Sequence, residues 1–378
     1  MKAIILILIF ETINICQTYA FVEDSIMYQG QASAWLNFNP RNDLPVWLGG
    51  RYIPQVNYEI IPAMERKIDF EFSANINGSF GLNPFDSINA DGNIKPYRLW
   101  GRFSTNQLEI RIGLQKINFG SASMLRPLMW FDQVDPRDPL QLTDGVWGLL
   151  GRYYFLNNVN IWLWGLYGND GPKTWEIGQT TRKTPEFGGR VQLPVPLGET
   201  ALSFHHRKAD LRDLDYPELE KVPENRYGFD GKWDLGVGLW LETSWIQKQR
   251  KAGQFTNQQI INFGTDYTFG IGNGINIIYE QLLYSFDEKA FAFKKNIFFS
   301  GTSISYPLGI LDNLSAIIYY DWTKNNFYNF INWQHQFNRF TFYLMAFSNP
   351  ETFQLPQQSE AGLLFSGQGL QLMIVFNH

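Results

Sequence analysis

The feature that most limits what this chain can fold into is an alternation of apolar and polar residues with a period of two. It runs through segment after segment. In LEIRIGLQ, residues 108–115, Leu108, Ile110, Ile112 and Leu114 share one parity, while Glu109, Arg111, Gly113 and Gln115 share the other. Side chains alternate across a strand but repeat every 3.6 residues on a helix, so only extended chain sorts these residues into an oily and a wet face. In residues 67–77, Ile68, Phe70, Phe72, Ala74 and Ile76 oppose Asp69, Glu71, Ser73, Asn75 and Asn77. The same division sets Arg226, Gly228, Asp230 and Lys232 against Tyr227, Phe229, Gly231 and Trp233, and Asn262, Gly264, Asp266 and Thr268 against Ile261, Phe263, Thr265, Tyr267 and Phe269.

Soluble sandwiches and propellers also alternate, but three features favour a transmembrane antiparallel β-barrel. Ions recur on one parity of strand after strand, whereas the inner face of a sandwich must pack against a second sheet. Aromatics, 16% of the residues, crowd the strand ends at Trp47 and Tyr52, Tyr153 to Phe155, Tyr319 to Trp322 and Phe327 to Phe330, as interfacial girdles would. No segment after residue 20 is long and apolar enough for a spanning helix, which leaves a closed barrel as the structure that satisfies every backbone hydrogen bond in lipid. Clusters of Gly, Pro and Asn such as NPRND, GNDGP and GIGNG separate the strands, and their spacing predicts an all-β fold of about 16–18 strands joined by alternating short and long connections.

The N-terminal MKAIILILIFETINICQTYA has one basic residue, an apolar stretch from Ala3 to Phe10 and a small-residue site at Thr18-Tyr19-Ala20, the pattern of an export signal. Residues 1–20 are therefore expected to be a signal peptide, with 21–378 forming one barrel domain. The single cysteine, Cys16, falls inside the signal, so the mature chain offers no disulfide, thiolate zinc site or cysteine nucleophile. A net charge of -5 argues against nucleic acid as a partner.

The stretch RIGLQKINFGSASMLRPLMWFDQVDPRDP resembles a strand and loop found in several families of Gram-negative outer-membrane porin-like barrels. Arg111, Gly113, Gln115, Phe119 and Gly120 match an R-x-G-x-Q-x-[I/V]-x-[W/F]-G strand, and Asp132, Asp135, Pro136, Arg137 and Asp138 match the following loop. The last strand, LQLMIVFNH, also resembles the C-terminal strand of outer-membrane barrels, but it ends on His378 with Phe376 two positions earlier. The resemblance implies residence in the bacterial outer membrane among lipid and lipopolysaccharide, and either passage of small hydrophilic solutes or participation in polysaccharide export.

Parity assigns Arg102, Glu109, Arg111, Gln115, Arg152, Arg190, Asp266, Glu280 and Asp321 to the lumen. The arginines lie early in the chain and the acids late, so closure would place them on different parts of the wall and create a transverse field. The alternative is ordinary pairing of these arginines with Asp69, Glu71 and Glu109. The connection from Ser121 to Gly145 is long and rich in apolar residues; it is expected to fold inward as a constriction carrying Trp130, Phe131, Asp132, Asp135, Arg137 and Asp138, against a loop that merely caps the rim. The segment NVNIWLWGLYG is apolar on both parities, which fits a strand packed against that loop or against a partner. Trp35 and Trp100 sit on wet-face parity, where a stacking path for sugars is one option and bracing of the lumen the commoner one.

Catalytic readings are weak. Ser203 and His205 share a parity, but no carboxylate is evident in the sequence to orient the imidazole, so the chain is not expected to be an enzyme. The acidic stretches Asp132 to Asp144 and Asp210 to Glu220 lack the spacing of a calcium loop, and the four histidines are scattered; neither metal nor cofactor is expected. The expectation is a porin-like channel, with a non-conducting barrel subunit or scaffold of a larger assembly as the alternative; an apolar outer wall is equally compatible with a homo-oligomer.

Overall fold

A computed structural model describes residues 23–63, 65–83, 87–214, 216, 218–351 and 365–378; the expected signal peptide lies outside them. The strands are β1 (Glu23–Phe38), β2 (Val46–Ala63), β3 (Arg66–Leu82), β4 (Ile88–Ser104), β5 (Leu108–Gln115), β6 (Val146–Tyr154), β7 (Asn160–Leu166), β8 (Gln179–Thr180), β9 (Glu186–Val195), β10 (Gly198–Asp210), β11 (Val222–Asp234), β12 (Gly238–Lys248), β13 (Asn257–Phe269), β14 (Ile275–Asp287), β15 (Asn296–Pro307), β16 (Asp312–Asp321), β17 (Asn326–Phe337), β18 (Phe340–Ser348) and β19 (Gln368–Asn377). All pair antiparallel in sequence order, and β1 joins β19 from Gln31↔Asn377 to Phe38↔Leu370, which closes the cylinder. Because β8 is a two-residue stub on β10, eighteen strands build the wall, within the expected number.

The alternation sorts as physics requires. Ile110, Ile112, Phe72, Tyr227 and Phe263 point outward and are exposed, whereas Asp69, Arg226, Asp230 and Asn262 on the opposite parity are buried inside. The connections segregate by length: residues 105–107, 196–197, 235–237 and 338–339 are tight turns at one end, and 116–145, 167–185, 211–221 and 288–295 are longer connections at the other. Gly113 has φ +122 and packs so closely on the Leu99 carbonyl that a Cβ would collide with it. Only glycine takes that backbone freely, and it occurs here where β5 stops pairing with β4 at Leu99↔Leu114.

The girdles need one correction. Tyr153, Phe155, Trp322 and Phe327 are outward and exposed, but Tyr319, Tyr328 and Phe330 are buried inside the barrel. A run of neighbouring aromatics cannot all face lipid on a strand, since alternate side chains must enter the interior. There they form part of an apolar cluster with Met124, Leu125, Met129, Ile246, Ile260 and Leu282.

Candidate functional site: a basic sector beside an inward-folded loop

The connection 116–145 turns into the cylinder. Its apolar residues divide between two walls. Phe119, Trp130 and Phe131 pack on Trp164 and Leu166 of β7, with the Phe119 and Trp164 rings stacked at 5.6 Å and Phe131 edge-on to Trp164 at 5.4 Å. Met124, Leu125 and Met129 pack on the opposite wall, from Ile246 of β12 to Phe347 of β18. The loop therefore spans the interior, and the two-faced composition of β7 matches an exposed outer face at Leu163 and an inner face, Trp164 and Leu166, covered by this loop.

Two wall carboxylates grip the loop by its main chain. Glu280 of β14 accepts the amides of Ser123 at 2.6 Å, Met124 at 3.1 Å and Leu125 at 2.5 Å, together with the indole N–H of Trp240 at 3.1 Å. Glu242 of β12 accepts the amides of Ala122 at 2.9 Å and Leu128 at 2.6 Å. Both glutamates are wholly enclosed. Trp130 Nε1 donates to Ser244 Oγ at 3.0 Å, and Ser121 Oγ donates to Asp230 at 3.2 Å. Within the loop Arg126 pairs with Asp132 and Arg137 with Asp135, while Asp138 accepts the amide of Leu140 at 3.0 Å. Burial pushes the Asp132 and Asp138 carboxyls above the usual aspartate range, more than Arg126 and the loop amides pull them back. Asp132, Asp135 and Asp138 are thus engaged by the loop's own cations and amides, while Asp144 pairs with Lys95 of β4 at 2.8 Å.

A second connection, 167–185, adds to the filling. Glu176 reaches Arg207 at 3.2 Å and Arg226 at 2.7 Å, and Trp175 Nε1 donates to the carbonyl of Arg126 at 2.6 Å, joining the two loops. Burial alone would raise the Glu176 carboxyl, but Arg207 and Arg226 hold it below the usual range. Beneath it, Glu224 binds Arg207, Arg226 and Lys248 at 2.6, 2.9 and 3.1 Å. Wet-face parity includes Glu224 and Arg226, but nothing in the sequence announces that a loop glutamate completes the set.

The other sector of the wall, β3 to β6, is different. Arg102 forms a fork with Asp69 at 2.7 Å and lies 3.5 Å from Glu109, which also binds Arg111 at 3.1 Å and Arg152 at 3.3 Å. Trp100 lies beneath Arg102 and Arg111, at 5.4 and 4.6 Å, and Trp162 lies 3.9 Å beneath Arg152. Arg98 donates to the Thr143 carbonyl at 2.9 Å, so it touches the inward loop. With Glu71 included, four guanidinium groups face three carboxylates. Arg102, Arg111, Arg152 and Glu109 all keep part of their surface open.

The remaining lumen-parity residues face inward but are engaged elsewhere. Gln115 is buried and donates to the carbonyls of Arg111 and Gly148. Arg190 is buried against Asp230 and donates to Ser203 Oγ at 3.1 Å. Asp321 is buried and accepts the amides of Thr323 and Lys324 in the turn after β16. Asp266 sits near the short-turn end beside Lys232, Asp234 and Glu199. The acids therefore do not form one wall opposite the arginines: Glu280 and Asp321 are consumed by backbone amides. Trp35 braces Gly49 and lies 5.7 Å from Arg51.

His205 does have a carboxylate, which the sequence did not reveal. Its Nε2 lies 3.2 Å from Glu186, and its Nδ1 accepts the Trp164 indole N–H at 3.2 Å. Both ring nitrogens are thereby engaged away from Ser203, whose oxygen accepts from Arg190. That arrangement supplies no base to the serine hydroxyl.

No protein-family model matches the sequence, and comparison with curated proteins finds no match. Among solved structures, OccAB4 of Acinetobacter baumannii aligns with a TM-score of 0.55 at 10% identity, over 96% of this chain and 99% of that one. OccK5 (OpdH) of Pseudomonas aeruginosa aligns with a TM-score of 0.53 at 9% identity, over 94% and 97%. OccAB1 of Acinetobacter baumannii gives 0.54 at 7% identity, over 94% and 95%. Near-complete coverage of both partners at such low identity establishes the fold that this chain shares with them, a closed antiparallel β-barrel.

Proposed function

We propose that the chain is an outer-membrane, porin-like channel for small hydrophilic solutes, exported by its N-terminal signal and narrowed by the two inward connections. One observation carries this reading. At mid-height and toward the long-connection end, inward side chains of β10 to β14, among them His205, Arg207, Arg226, Glu242 and Glu280, are fully enclosed, whereas Arg102, Arg111 and Arg152 on β4 to β6 stay partly open. The free passage therefore runs along the basic sector, between that wall and the inward loop, and solutes pass a cluster with one more guanidinium than carboxylate. A low-dielectric wall strengthens the bias of this cluster toward anions. The experiment is single-channel recording of the refolded mature protein with a salt gradient: stepwise conductance with anion-leaning reversal potentials is expected, and a barrel that inserts without conducting refutes the channel.

The second reading, a non-conducting scaffold in a larger surface assembly, is favoured by the apolar cluster that fills the interior between β12 and β18. Insertion without conductance is its signature. The chain is read as a non-enzyme requiring no cofactor, with lipid, lipopolysaccharide and hydrophilic solutes as its partners.

A further inference from the structure

The connection 288–295, EKAFAFKK, does not rise from the rim. It lies over the outside of the wall. Phe291 packs on Trp245 with ring centroids 5.0 Å apart, Trp245 packs on Tyr227 at 5.2 Å, and Phe293 continues the array at 6.3 Å from Phe291. Trp245 and Tyr227 belong to the outward parity of β12 and β11. Asn257 Nδ2 donates to the Glu288 carbonyl at 2.9 Å and Asn296 Nδ2 to the Phe293 carbonyl at 2.8 Å, which ties both ends of the connection to the wall. Phe291 and Phe293 both have left-handed backbone, φ +56 and +49. Bulky residues avoid this region, and such conformations cluster at ligand clamps and switches.

Beside this connection runs an outward polar row on adjacent strands, Gln259 of β13, Ser285 of β14 and Asn296 of β15, each the register partner of the next. Gln259 is 2% exposed and Ser285 0%. Both polar atoms of the Gln259 amide, the Ser285 hydroxyl and the Asn296 carbonyl oxygen have no hydrogen-bond partner among the described residues. Buried groups of this kind cost stability unless something pairs with them. The row offers donors and acceptors together. Around it, Arg250, Lys251, Lys289, Lys294 and Lys295 outnumber Asp287 and Glu288 by five to two, in a chain of net charge -5. Lys251 is spent on Glu288 and Lys295 donates to Gln254, whereas Lys289 and Lys294 are exposed with no acidic partner among the described residues.

We propose that the 288–295 connection and the row beneath it form a headgroup site for a phosphorylated glycolipid of the outer leaflet. Lys289, Lys294 and Lys295 face its phosphate, and Phe291 and Phe293 lie at the top of the acyl layer. When the flap lifts, Gln259, Ser285 and Asn296 pair with sugar hydroxyls. Phosphate supplies the charge that the lysines complement, and a sugar supplies hydroxyls that can both donate and accept, as the orphaned atoms require. The site rests on the outer-membrane reading above.

The test uses full-length mature protein folded in detergent micelles, with folding verified by heat-modifiable gel migration. Native mass spectrometry then titrates bisphosphorylated lipid A, its dephosphorylated form and phosphatidylglycerol. One-to-one retention of the bisphosphorylated form is expected, with the other two at least tenfold weaker. At about a factor of five per surface lysine, Lys294→Ala with Lys295→Ala weakens it roughly thirtyfold. Gln259→Leu with Ser285→Ala weakens discrimination against phosphatidylglycerol while phosphate dependence remains. Equal retention by wild type and the lysine variant, or equal affinity for lipid A and phosphatidylglycerol, overturns the site. Failure to fold in a membrane mimic overturns the outer-membrane reading instead.

Discussion

Removing the Glu280 carboxylate should release the inward loop while the barrel stays closed. Four donors converge on it: the amides of Ser123, Met124 and Leu125 and the indole of Trp240. Hydrogen bonds to a charged group contribute about 1.5–3 kcal/mol each, but the contributions are not additive, and breaking a buried charged contact costs about 3–5 kcal/mol in total. Glu280→Ala leaves three main-chain N–H groups unpaired, so this figure applies to the docked loop. At about 1.4 kcal/mol per decade, the equilibrium between docked and undocked loop shifts by about two to three and a half orders of magnitude. The wall loses nothing comparable, because the ladder hydrogen bonds of β14 with β13 and β15 are main-chain. The assay is paired: single-channel recording in planar bilayers, and protease digestion of the folded protein followed by mapping of cuts in 116–145. Larger or flickering conductance with new cuts near Arg126 and Arg137 is expected, and Glu280→Gln, which keeps one acceptor oxygen, should fall between. Unchanged conductance and protease resistance in Glu280→Ala would mean that packing of Met124, Leu125 and Met129 holds the loop, and the carboxylate argument fails.

Arg111→Ala with Arg152→Ala should move the reversal potential toward cation selectivity, since two of the four guanidinium groups are lost and Glu109 keeps only Arg102; an unchanged potential removes this cluster from the ion path. Glu176 is held below the 4.5 of a free glutamate, so the stability it lends to the 167–185 connection is present above that pH and disappears as pH falls through its lowered value. Hydrogen exchange of residues 173–178 should therefore stay slow from pH 8 to 5 and accelerate in stronger acid, and Glu176→Gln should abolish that dependence. Gly113→Val should destabilise the folded barrel by at least about 2 kcal/mol, read as a lower urea midpoint on heat-modifiable gels, because φ +122 and contact with the Leu99 carbonyl exclude a branched side chain.

Much of the wall was legible because alternation reports which way each side chain points. It assigned both faces of β3, β5, β11 and β13 correctly, and the apolar inner parity of β7 pointed to the loop that covers Trp164 and Leu166. Parity tells inside from outside, but not water from protein. Hence Glu280 and Asp321 read like lumen charges although each is occupied by main-chain amides, which have no sequence signature. The same ambiguity hid the inward orientation of Tyr319, Tyr328 and Phe330. The pairings of Glu186 with His205 and of Glu176 with Arg207 and Arg226 depend on closure bringing distant segments together, and no local spacing encodes that.

The brevity of β5 has its own consequence. It pairs with β4 only from Leu99 to Ser104, so the half of β4 from Ile88 to Arg98 has β3 on one side and no strand on the other among the described residues. The palisade is one stave short near its upper lip. A bare run of amides and carbonyls there is a template for recruiting a neighbour's extended chain, and this one carries Asp91, Lys95 and Pro96. Charge and a missing N–H are the usual deterrents to such adhesion. Replacing those three with Val, Val and Thr would leave the cylinder intact and make it sticky.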